Sequence, residues 1–208
     1  MRFLPLLLAN LRRKKVRTIL TVGSFAVALF LFGILFALRT GLRQGVDVAG
    51  ANRLMVMGTS LMNMLPLPYL ARIERIPGVE KVAHATWFGG VYKDPKNFFV
   101  QFAIDPALWR VVYPEYVIDE QEWAAFAADR QGIVVGAQLA KRYGWKVGDR
   151  VPIQSSIWTK TDGSRLWEFD IVGIFDGRDK AADLSQFFFR YDCFDEARVW
   201  NKGQVGWY

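Results

Sequence analysis

Twenty consecutive residues without a charge, Ile19 to Leu38 (ILTVGSFAVALFLFGILFAL), constrain this chain more than any other feature. At 1.5 Å per residue a helix of that length covers about 30 Å, the hydrocarbon thickness of a bilayer. Buried helices of soluble proteins are normally shorter and carry a polar stripe, which this run lacks. The segment is therefore expected to be a transmembrane helix. Gly23, Ser24 and Gly33 are small enough to let another helix approach, but Gly23 and Gly33 lie ten apart and form no GxxxG pair.

Charge at the two ends of the span sets its direction. Arg12, Arg13, Lys14, Lys15 and Arg17 crowd the N-terminal side, while only Arg39 and Arg43 follow closely. The positive-inside rule places the N-terminus in the cytoplasm and the main domain on the far side of the membrane. A cleaved signal peptide is the competing reading. It is disfavoured by an apolar run longer than the usual 7 to 15 residues and by the lack of a small-x-small cleavage site. Before the basic cluster, Phe3, Leu4, Leu6, Leu7, Leu8 and Leu11 suit either an interfacial helix on the cytoplasmic leaflet or a frayed tail. The expected organisation is a cytoplasmic basic elbow (1–18), a transmembrane helix (19–38) and a folded domain (39–208).

The net charge of +7 suggests a nucleic-acid binder until its placement is considered. Residues 1–18 hold six basic residues and no acid, so the remainder is close to neutral and offers no broad phosphate-binding face. The cluster suits anionic membrane lipid instead, and no nucleic-acid partner is expected. One cysteine, Cys193, and one histidine, His84, make neither an internal disulfide nor the usual structural zinc site. The domain must stand on its apolar core.

Beyond the span the pattern alternates between helix and strand, which implies an α+β class. Asn52–Met57 reads as a strand, and Pro66–Ile76 as an amphipathic helix, with Leu67, Leu70, Ile73 and Ile76 three apart, stopped by Pro77-Gly78. Val79–Trp87 and Asn97–Ile104 read as strands joined through the turn-rich GGVYKDPK. Asp105-Pro106 opens a helix, and Asp119–Asp129 forms another with acids in its first turn. Then come a buried strand at Ile133–Val135, a helix at Gly136–Tyr143 ended by Gly144, and a turn over 145–149. A hairpin of Arg150–Ser155 and Leu166–Phe175 reverses around Thr161–Ser164. A strand at Gln186–Tyr191 and a helical turn near Asp195 follow.

Chemistry is scarce. No Walker A loop, GxGxxG, HExxH, GxSxG or CxxC occurs. His84 is a formal candidate for a general base, although a solitary histidine is more often a packing residue. Asp170, Asp176, Asp179 and Asp183 depart from calcium-loop spacing and read as turn acids. Met55, Met57, Met62 and Met64 have no His or Cys company and suit flexible packing better than soft-metal binding. Trp158, Trp167, Trp200 and Trp207 suit a core as well as a partner or lipid surface. No catalytic, cofactor or metal site is expected on this chain.

Four stretches resemble the permease subunits of ABC transporters of the MacB/FtsX type: LANLRRKKVRTILTVGSFAVA, YLARIERIPGVEKVA, GIVVGAQLAKRYGWKVGDRVPI and WEFDIVGIFDG. The third is the most specific, with Gly136, Ala140, Gly148 and Asp149 falling on the family's G-x-x-x-A and V-G-D positions. The resemblance implies a MacB-like periplasmic core domain on an inner-membrane helix and no enzymatic residue to carry over. It also implies an ABC ATPase partner that holds the ATP and magnesium, and a second permease subunit. Family permeases return to the membrane for three more helices, so a sequence stopping at Tyr208 reads as a fragment. A single-span anchored binding or structural module without an ATPase is the alternative. A membrane-anchored hydrolase resting on His84 and the aspartates is a third.

Overall fold

The computed structural model describes residues 14–48, 53–60, 63–178 and 182–208. The chain divides into two compact units, Met1–Arg53 and Leu54–Tyr208.

The first unit contains helix α1, Lys15–Val48, of 34 residues. Its most apolar eighteen-residue stretch, within Lys15–Arg39, has a mean hydropathy of 2.5 and is not buried by the rest of the protein. Such a surface is stable only in lipid or against other apolar helices. Its hydroxyls turn back onto the helix, Thr18 Oγ1 donating to the Lys14 carbonyl (3.3 Å) and Ser24 Oγ to that of Thr21 (2.8 Å). No polar side chain is left facing hydrocarbon unpaired at these two positions. The expected interfacial segment at Phe3–Leu11, and Arg12 and Arg13, lie outside the described residues.

The second unit is α+β. In chain order it comprises β1 Leu65–Pro66, α2 Tyr69–Ile73, β2 Ala85–Trp87, β3 Gly90–Val91, β4 Val100–Ile104, α3 Pro106–Val112, β5 Tyr116–Val117 and α4 Glu120–Ala128. β6 Gly132–Gly136, α5 Ala137–Tyr143, β7 Arg150–Ser155, β8 Leu166–Gly177, β9 Gln186–Arg190, α6 Tyr191–Ala197 and β10 Gln204–Val205 follow. The main sheet runs β2-β4-β9-β6-β8-β7-β3, with β5 added to β8. β4–β9 and β6–β8 are parallel; the other pairs are antiparallel.

β2 and β3 belong to one bent stretch yet sit at opposite ends of that order, so the sheet curls and closes through residues 85–91. The bend is at Gly89, whose φ of +64° suits glycine. Gln101 holds the closure. Fully buried, it accepts from the Gly90 amide (2.6 Å) and donates to the Gly90 carbonyl (2.9 Å), replacing a strand's ladder with one side chain.

Alternation along the strands separates two apolar clusters. Ile133, Val135, Phe187, Phe189, Trp167 and Phe169 join the first, centred on Phe88. Val134, Phe188, Ile104 and Phe175 join the second, with Trp109 of α3 and Phe126 of α4. In β8 the alternation changes phase, because the register with β6 shifts between Ile133 and Val134. The freed amide of Ile174 is satisfied by Glu122 Oε2 of α4 at 3.0 Å, and a Cβ on Gly173 would meet Glu122 Cβ at 2.8 Å. The V-G-I-F stretch is thus a β-bulge covered by a helix.

Several expected elements are shorter than their patterns. The strand expected over Val79–Trp87 is a strand only at Ala85–Trp87. Its partner β4 ends at Ile104, opposite Ala85, where Asp105-Pro106 turns the chain into α3. The strand expected at Asn97–Ile104 begins at Val100. The Pro66–Ile76 helix contracts to Tyr69–Ile73, because Leu65–Pro66 pairs with β10 and Leu67 donates to the Gly203 carbonyl. Of the strand expected at Asn52–Met57, Asn52 lies outside the described residues and the remainder carries an isolated bridge, Met57 to Trp207. The last helix starts at Tyr191, ahead of Asp195 and one residue inside the strand expected there. The remaining helices, the buried strand and the hairpin stand as expected: Asp105 and Asp119 cap α3 and α4, and Gly144 ends α5 in the left-handed conformation.

Candidate functional site

Three groups of residues were singled out by the sequence, and the structure treats each differently. At the start of α1, Lys14, Lys15 and Arg17 are solvent-exposed.

Gly136, Ala140, Gly148 and Asp149 gather into one helix–turn–strand unit. Gly136 is the N-cap of α5, and a Cβ there would stand 2.1 Å from the Leu184 carbonyl oxygen, so no larger residue fits unless that backbone moves. The carbonyl of Ala140 accepts from Gly144 and from Trp145 (2.9 Å), closing the helix. Gly148 takes φ of +95° and donates to the Ile171 carbonyl (2.8 Å), while Ile171 donates back to Asp149 (2.9 Å). Asp149 Oδ2 accepts from the Lys146 amide at 2.8 Å. These four residues dock a turn on β8; their local chemistry is structural.

The acids and the histidine do not converge. Asp170 is bound by the Arg150 guanidinium through two hydrogen bonds of 2.7 Å, which holds its carboxyl below the ordinary range. Asp183 accepts from Ser185 and Gln186, Asp176 from the Gly177 amide, and Asp179 is outside the described residues. Among the described residues no group of three His, Cys, Asp or Glu is placed to hold a metal. His84 is 3% exposed, and burial pushes its imidazole down to about 4 in spite of Asp105 and Asp195. Met64 packs against the first apolar cluster as expected, Met55 and Met57 are exposed rather than packed, and Met62 is outside the described residues. Trp158 and Trp167 are buried, with Trp200 stacked on Trp158 at 4.4 Å and 40% exposed.

What the sequence did not reveal is a seam where the chain enters the folded unit. Val56 and Tyr208 exchange backbone hydrogen bonds of 2.7 and 2.9 Å, and Ala85 pairs with Gly206 and Trp207 at 3.0–3.1 Å. The Tyr208 hydroxyl reaches the carbonyls of Pro66 (2.7 Å) and Leu67 (3.0 Å). Beside the seam lies Arg198, 0% exposed and ion-paired with Asp195. It also donates to the Gln204 carbonyl at 2.6 Å and faces the rings of Trp158, Tyr191 and Phe194. Asp195 in turn accepts from the Gly203 amide and the Tyr191 hydroxyl. The only sequence signal for this network was an Asp and an Arg three apart on a helical turn. A cleft of about 590 Å³ opens nearby, with Cys193 among its lining residues. Burial pushes that thiol up to about 11, so it is a poor nucleophile at neutral pH.

A helix of membrane-spanning length and composition joined to a curled, helix-covered α+β unit defines a class, a membrane-anchored domain with a structural surface. The sequence model of the MacB-like periplasmic core domain matches residues 18–200, and the chain belongs to that family. With that membership the chain is of the MacB/FtsX permease type, the permease component of ABC transporters. Among solved structures, a domain of a protein described as a permease from Porphyromonas gingivalis is similar at 16% identity. It covers 74% of this chain and 73% of its own, with a TM-score of 0.45. The extracellular domain of the noncanonic ABC-type transporter YknZ from Gram-positive bacteria is similar at 9% identity, over 74% and 79%, with a TM-score of 0.49. No curated protein matches the chain.

Proposed function

We propose that this chain is the permease subunit through which a partner ABC ATPase moves a periplasmic domain, for export, lipoprotein release or mechanotransmission. The observation carrying the reading is the family match, which begins at residue 18 and so takes in the apolar helix as well as the domain. The chain itself is non-catalytic in this reading: ATP and magnesium reside on the partner, and a second permease subunit and membrane lipid complete the assembly. Arg12, Arg13, Lys14, Lys15 and Arg17 hold the cytoplasmic end of α1 at the inner membrane.

Purification of the protein from its own membranes is expected to bring down an ATPase subunit whose ATP turnover changes when the permease is present. Turnover indifferent to the permease, or no ATPase at all, would sink the reading and leave an anchored binding module. Orientation is tested separately by the single cysteine. A membrane-impermeant maleimide applied at pH 9 to cells with a permeabilised outer membrane is expected to label Cys193 without lysis. Labelling only after the inner membrane is broken would reverse the topology.

A further inference from the structure

The seam where the chain enters the folded unit contains an ionisable group that no described partner serves. His84 lies in the segment before β2, one residue from Ala85, the residue that pairs with Gly206 and Trp207. Its ring meets Tyr191 edge-on at 4.6 Å and Tyr208 at 6.4 Å. It is 3% exposed and its Nδ1 has no hydrogen-bond partner. We infer that His84 is an acid-sensitive latch: neutral, it lets the segment 206–208 close over it; protonated, it releases that segment and the extended residues 54–57 bonded to it.

The surrounding groups give the charged imidazole no ready acceptor. Asp105, from the β4–α3 junction, accepts from the amides of Ala107 and Leu108 through Oδ1, which turns that oxygen into the start of α3. Asp195, from α6, is engaged by Arg198, Tyr191 and Gly203. Arg198 is a fully buried cation on the same network. Arg190 is held by Asp192, and Glu80 and Lys81 on the histidine's own segment are exposed to solvent. Tyr191 and Tyr208 stay protonated, since burial raises both. A new positive charge at His84 therefore meets aromatic rings and a filled carboxylate, and hydration is the cheaper outcome.

The direction follows from linkage. The imidazole titrates lower in the closed seam, at about 4, than in an open, hydrated one, at 6.5. Closure is fully favoured above pH 6.5 and weakens as the pH falls towards 4. From pH 7.5 to pH 5 the open-to-closed ratio is expected to rise about 30-fold, while carboxylates with ordinary values remain ionised.

Because the chain has one histidine, the test is clean. The chain of residues 1–208, labelled at histidine and held in lipid nanodiscs, gives a single imidazole signal, whose titration midpoint reads the coupling directly. Hydrogen–deuterium exchange of peptides spanning 54–57 and 204–208, corrected for intrinsic rates, reads the seam. The inference expects a midpoint well below 6.5 and an acid-induced loss of protection confined to those peptides. Both His84→Gln and His84→Phe should abolish the loss, the glutamine variant serving if the phenylalanine does not fold. An ordinary midpoint, or the same loss of protection in a folded variant, overturns it. Neither readout depends on an ATPase, so failure here is distinct from failure of the proposed function.

Discussion

Replacing Asp195 with alanine is expected to destabilise the α+β unit by about 3–5 kcal/mol, the usual cost of stranding one partner of a buried ion pair. Arg198 is fully buried and makes its only ion pair among the described residues with Asp195. Without that carboxylate its charge faces Trp158, Tyr191 and Phe194, which attract a cation but do not replace an anion. The Gly203 amide loses its acceptor as well. The double variant Asp195→Ala with Arg198→Met removes both charges and is expected to recover part of the loss. Urea unfolding followed by tryptophan fluorescence measures both. A single variant within 1 kcal/mol of wild type would mean that water reaches Arg198 and the pair is not isolated.

Phe88→Ala is expected to cost about as much, 3–5 kcal/mol, by a different route. Phe88 is 0% exposed at the bend that closes the sheet, and its ring lies 5.1 Å from Phe189, 5.4 Å from Trp167, 5.9 Å from Phe194 and 6.0 Å from Phe169. Those rings come from β8, β9 and α6, so they cannot all collapse into the space without breaking ladders. Truncation leaves a cavity rather than a repacked core. Phe88→Leu should lose less. Should alanine and leucine cost the same small amount in denaturant unfolding, the curled sheet would have to be far more compliant than its register implies.

The elements that the sequence exposes are those whose signals are local. The run from Ile19 to Leu38 needs no tertiary context to read as a span. Asp105, Asp119 and Gly144 announce helix ends through their own capping chemistry. The hairpin of β7 and β8 is legible because strand period and turn residues coincide. What stays hidden depends on partners distant in sequence. Val79–His84 carries a strand's residues but finds no strand to pair with. Gln101 is indistinguishable from a surface glutamine until the sheet curls Gly90 against it. The change of phase in β8 requires Glu122 from α4, fifty-two residues away. The motif residues Gly136, Ala140, Gly148 and Asp149 were legible as a group, and the physical reasons for them, a close backbone approach and a docked turn, came only with the structure. Arg198 and Asp195 were missed because a buried salt bridge has the same sequence appearance as a solvated one.

The pairing of Val56 with Tyr208 also orders events during synthesis. The backbone partner of the segment that follows the helix lies about 150 residues downstream, and β1 waits equally long for β10. Helix α1 leaves the ribosome early, whereas the extended residues around Val56 have nothing to pair with until Trp207 and Tyr208 have been made. The connection between anchor and domain is therefore a late step of folding, completed only around a domain whose curled sheet can already have formed.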